Sequence, residues 1–97
     1  MGIAEGVSEL LEATVVFKGV RIGRIVDVIF DRVGGEVVGF EVRCDDRKHR
    51  FLPRAAATVA DDSRVEVGSP FALLDAAELE FYRERGVTLR RRKEPAA

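Results

Sequence analysis

The sequence predicts a mainly β domain: a small barrel or sandwich of five or six short strands, with a helix at each end. Three observations carry that reading. Two long β-branched runs, Ile22 to Phe30 and Glu36 to Cys44, lie on either side of Gly34-Gly35. Further short β runs follow, separated by turn residues. Beyond Ser69-Pro70 the texture becomes helical, opening at Asp75. A chain of 97 residues has room for one domain with one modest core.

Taken in order, Ile3, Val7, Leu10 and Leu11 recur at helical spacing among Glu5, Glu9 and Glu12, which predicts an amphipathic lead-in helix within residues 1–13. Thr14 to Phe17 reads as a strand closed by Lys18-Gly19. In Ile22 to Phe30, one face carries Ile22, Arg24, Val26, Val28 and Phe30, and the other Gly23, Ile25, Asp27 and Ile29. Apolar groups on both faces require cover over the outer one at Ile25 and Ile29. Gly34-Gly35 supplies a tight connection. Glu36 to Cys44 alternates more cleanly, with Val38, Phe40, Val42 and Cys44 against Val37, Gly39, Glu41 and Arg43. Alternation thus assigns Val26, Val28, Phe30, Val38, Phe40, Val42 and Leu52 to the interior.

Asp45 to His49 is a polar turn, Arg50-Phe51-Leu52 a strand ended by Pro53, and Thr58-Val59 with Arg64 to Val67 a hairpin around Asp61-Asp62-Ser63. The β region therefore covers residues 14–74. Asp75-Ala76-Ala77-Glu78 has the form of a capping box and opens a helix over 75–86. Its predicted apolar face is Leu74, Ala77, Phe81 and Tyr82, with Glu80 and Arg83 paired on another face and Gly86 as the stop. Residues 87–97 read as a basic, flexible tail.

Charge is nearly balanced, 16 basic groups against 17 acidic ones, which argues against a dedicated nucleic-acid binder. Its distribution is uneven: residues 83–97 carry a net +4, leaving −5 on residues 1–82. One cysteine, Cys44, has no intramolecular partner, and Glu5, Glu9 and Glu12 occupy the stretch where a secretory signal would be apolar. No run approaches the length of a membrane span. A cytoplasmic location is the expectation.

Gly19, Gly23, Asp27-Val28, Asp31, Gly39, Phe51-Leu52-Pro53, Val65 and Val67 stand in an order and spacing that resembles the PRC-barrel family, over about residues 14 to 70. The resemblance implies a compact, highly bent antiparallel β-barrel and a role in binding other proteins; no catalytic residue set belongs to the family. Relatives include the cytoplasmic domain of the photosynthetic reaction-centre H subunit, the C-terminal half of a ribosome maturation factor, and free-standing bacterial proteins. Neither a membrane helix nor an N-terminal partner domain is read in this sequence, so neither of the first two roles is expected of it. Its C-terminal helix resembles an extension found in the free-standing bacterial versions.

Cys44, Asp45, Asp46 and His49 form the one cluster with ligating or nucleophilic side chains. Structural zinc wants four ligands and the sequence holds no second Cys or His, so Cys44 reads as a small core residue and the rest as a solvated loop. Asp27 and Asp31 share a face, yet no base or electrophile accompanies them; they read as turn acceptors. No catalytic residue, cofactor or metal is expected. The expected function is a non-catalytic protein–protein interaction module, dimeric or with another protein, with Ile25, Ile29, Leu74, Phe81 and Tyr82 as the contact surface. The rival is a ribosome- or RNA-associated accessory protein that contacts phosphates through Arg90, Arg91, Arg92 and Lys93, although no stacking aromatic lies nearby.

Overall fold

The computed structural model describes residues 9–61 and 63–90. Seven strands form one sheet: β1 (Thr14–Phe17), β2 (Val20–Asp31), β3 (Val37–Cys44), β4 (His49–Pro53), β5 (Ala57–Asp61), β6 (Arg64–Val67) and β7 (Gly86–Thr88). Among the described residues one α-helix, α1 (Ala76–Arg85), precedes β7, and 3-10 turns occupy Arg54–Ala56 and Pro70–Ala72. The strand order is β4-β3-β2-β1-β6-β5, with β7 added to β2. Two features correct the expected antiparallel barrel. The β1–β6 pair is parallel, and the strand order does not close on itself among the described residues.

Curvature comes from β2, which is long enough to serve two neighbours along one edge. Its start pairs with β1 and its end, Ile29 to Asp31, with β7. The β1–β2 hairpin turns on Lys18 (φ 50) and Gly19 (φ 79), the two positive φ angles that match the right-handed strand twist. Two bulges then bend the β2–β3 ribbon. Val26 is the extra residue on β2 between the pairs Ile25–Val42 and Asp27–Glu41, and Val38 is the extra residue on β3 between Ile29–Gly39 and Phe30–Val37.

Each bulge flips the side-chain parity, so strict alternation misassigned two interior positions, Val26 and Val38, and two exterior ones, Ile25 and Val37. Ile25 faces the main core, with Val28, Phe30, Val37, Phe40, Val42, Cys44 and Leu52, whereas Val26 is only half-buried and Val38 packs on the far side of the sheet. Ile29 does lie on that far side, but it is fully covered.

The cover is α1. Asp75 caps it by accepting from the backbone N–H of Ala77 (3.1 Å) and Glu78 (3.3 Å). Leu79, buried on α1, joins Ile29 and Phe51 in a second apolar cluster, with Val38, Leu74 and Tyr82 around it. Ala77 and Phe81, expected on the buried face, are exposed instead; Arg83 turns toward Glu41 and does not pair with Glu80. Gly86 ends the helix through close approach: it is extended, and a Cβ there would stand 2.6 Å from the Phe30 carbonyl oxygen.

Two further expectations change at the ends. Residues 1–8 of the predicted lead-in helix lie outside the described residues. Residues 9–12 are a turn, ended by Glu12 at φ 73, with Leu10 buried in the main core. Residues 87–90, expected to be tail, belong to the fold: β7 pairs with β2 and Leu89 is buried.

Candidate functional site

The outer face of the β2–β3–β4 ribbon is where α1 docks and where the polar chemistry collects. Opposite each other on β2 and β3 stand Asp27 and Glu41, the two buried carboxylates among the described residues. Burying a carboxylate requires partners, and each has found them. Asp27 accepts from the backbone N–H of Val28 (2.9 Å) and Arg90 (3.1 Å), while the Arg90 side chain donates to the Val26 carbonyl (2.5 Å) that the bulge releases. Asp27 was expected to serve a local turn; it instead anchors backbone far along the chain. Glu41 lies 2.5 Å from His49 Nδ1 and 3.9 Å from the Arg83 guanidinium of α1.

That geometry disposes of a Cys44–His49 pair. Cys44 packs in the main core, while His49 reaches Glu41 on the opposite face of the sheet. Nor is the loop simply solvated. Asp45 pairs with Arg21 at 3.4 Å, and Asp46 takes two hydrogen bonds from Arg50, at 2.8 and 3.1 Å. Those bonds from Arg50, with the Lys48 N–H, hold the Asp46 carboxyl down at about 2. Asp31 accepts from Gly34 N–H at 2.6 Å, as a turn residue does. Among the described residues no group of three or more His, Cys, Asp or Glu side chains is placed to hold a metal ion.

Of the five residues expected to form a contact surface, Ile25 and Ile29 are covered by the chain's own core and helix, which removes the reason to infer a dimer from them. Leu74 is bridged to Phe51 by a pair of backbone hydrogen bonds and closes the β4 edge there. Tyr82 stacks on Phe51 with ring centroids 4.3 Å apart. Only Phe81 remains substantially exposed, at 44%. It stands edge-on to Tyr82 at 5.1 Å and carries the Arg85 guanidinium 3.8 Å above its ring. Below it opens a shallow apolar cleft of about 160 Å³ lined by Phe30, Val38, Tyr82 and Gly86, with Asp31 and Arg85 at hand. Sequence reasoning named Phe81 and Tyr82 but placed both on one apolar face, from which Phe81 departs, and it missed Arg85, whose role depends on the helix phase. Arg91, Arg92 and Lys93 lie outside the described residues.

No helix among the described residues is long and apolar enough to cross a membrane. Residues 3–74 match the family model of the PRC-barrel domain. No curated protein matches the chain.

Proposed function

Since the chain belongs to the PRC-barrel domain family, we propose that it works as a non-catalytic interaction module whose docking surface is the exposed strip of α1. The observation that supports this is the Phe81–Arg85 pair over the cleft beside Val38 and Tyr82. An aromatic ring and a guanidinium held rigid beside an apolar depression have the composition of an interface anchor, because large, pre-ordered side chains bury area at little entropic cost. The partner is a protein surface that inserts an apolar side chain into the cleft and offers a cation to Asp31.

Capture from a native lysate, with and without nuclease, tests the proposal when the parent is run beside Phe81→Ser and Arg85→Ser. A protein that survives nuclease and is lost with either variant supports the reading. A partner released by nuclease refutes it in favour of RNA, and one indifferent to both substitutions places the contact elsewhere. Light scattering on the full chain decides whether the partner is a second copy.

A further inference from the structure

Pairing of β2 with β3 sets Arg24 directly opposite Arg43. Like charges at that position oppose strand pairing. Arg21 and Arg47 join them around a shallow pocket of about 140 Å³, whose remaining lining is Cys44 and Asp45. Counter-charge there is short. Asp45 serves Arg21, and Glu12 Oε1 stands 3.2 Å from Arg24 Nε but off the N–H line, so that this buried nitrogen has no hydrogen bond. Arg43 and Arg47 have no carboxylate partner among the described residues. The neighbouring buried carboxylates are engaged elsewhere, Asp27 by backbone N–H groups and Glu41 by His49 and Arg83. Four guanidiniums against Asp45 and Glu12, the latter shared with Arg90, leave at least two positive charges uncompensated.

The local backbone gives no reason for this arrangement. Arg47 sits at φ 71, in the left-handed region that glycine or asparagine occupies more easily, so the turn gains nothing from an arginine there. A pocket of about 140 Å³ is well under the usual size of a small-molecule site, roughly 300–1,000 Å³, yet it is adequate for one oxyanion group. Guanidinium forks match phosphate oxygens bidentately; a phosphate monoester carries close to two negative charges at neutral pH, the amount missing here, and two adjacent backbone phosphates of a nucleic-acid strand supply the same. On the same flank Glu12 also reaches Arg90 at 3.7 Å, which brings the root of the basic run Arg90–Lys93 beside Arg24.

We propose that Arg21, Arg24, Arg43 and Arg47 form a binding site for a phosphate group, delivered as a free phosphoester or on a nucleic-acid strand. The site is separate from the α1 strip, so either can fail without the other. Two probes test it on the full chain: inorganic phosphate followed by NMR, and a short labelled single-stranded RNA followed by fluorescence anisotropy across a salt series. Phosphate is expected to shift amides at Gly23, Arg24 and Arg43 to Lys48. Arg43→Gln and Arg47→Gln, which break no ion pair, should each weaken binding by roughly tenfold or more. Neither should lower the melting temperature, since each removes like-charge repulsion.

If RNA binds more tightly than phosphate, with a log–log salt slope that falls by about 0.7 per arginine removed, the source is a nucleic-acid strand. Phosphate binding with no gain for RNA supports the site with a free phosphoester as its ligand. Failure of both probes to bind, or binding that both glutamine variants retain in full, overturns the proposal.

Discussion

Leu79→Ala tests the central structural finding, that the chain covers its own outer face. Leu79 is 4% exposed and packs on Ile29 and Phe51, beneath Tyr82 and Leu74. Its three lost carbons are worth roughly 2.4 kcal/mol at about 0.8 kcal/mol each. The residual cavity adds to this, within the range of about 2–5 kcal/mol seen for Leu→Ala. The cluster has only three fully buried members and lies under a solvated helix that can settle, so about 3 kcal/mol is expected. For a domain of this size that lowers the melting temperature by about 12–20 °C. Urea unfolding read by far-UV circular dichroism gives the free energy, and light scattering on the folded variant reports whether exposed Ile29 and Phe51 now drive association. A melting temperature within a few degrees of the parent would refute self-coverage by α1, because a helix held elsewhere loses nothing when Leu79 is shortened.

Gly39→Ala should cost about 1–3 kcal/mol by chemical unfolding, since its Cβ would collide with the Phe51 ring and stand 2.6 Å from the Leu52 carbonyl oxygen, a backbone atom that cannot step aside. His49→Ala leaves buried Glu41 with only Arg83 at 3.9 Å. The expected loss is about 1 kcal/mol, at the low end for an orphaned buried group because His49 is 42% exposed. Adding Glu41→Gln to His49→Ala should recover part of that loss, and a double variant less stable than His49→Ala would contradict the pairing. Asp46 titrates at about 2 when folded against an ordinary value of 3.8, so its stabilisation is complete above 3.8 and is lost as pH falls through about 2. Acid unfolding of Asp46→Asn should therefore be less steep than the parent's in that window.

What the sequence determined by itself was whatever depends on near neighbours. Thr14 to Phe17 and the Glu36 to Cys44 run are strands because β-branched side chains alternate along them. Lys18-Gly19 is a hairpin turn because both residues take positive φ there, and Asp75 caps α1 because a short carboxylate can reach two orphan N–H groups. Cys44 was legible as a core residue from its phase with Phe40 and Val42. In the candidate interaction strip, spacing placed Tyr82 against the sheet but put exposed Phe81 there too, and it gave no sign of Arg85.

Tertiary structure decided the rest, through pairings between residues far apart in the chain. Bulges at Val26 and Val38 arise where the β2–β3 ribbon bends, and one extra residue inverts every facing beyond it, which sends Ile25 inward and Val38 outward. Residues 86–88 become a strand only because β2 offers them an open edge, and Asp27 can be buried only because Arg90 arrives to bond it. The arginine pocket has the same origin. Arg21 and Arg24 are separated by about twenty residues from Arg43 and Arg47, and nothing local to either pair predicts that strand register will bring their charges together.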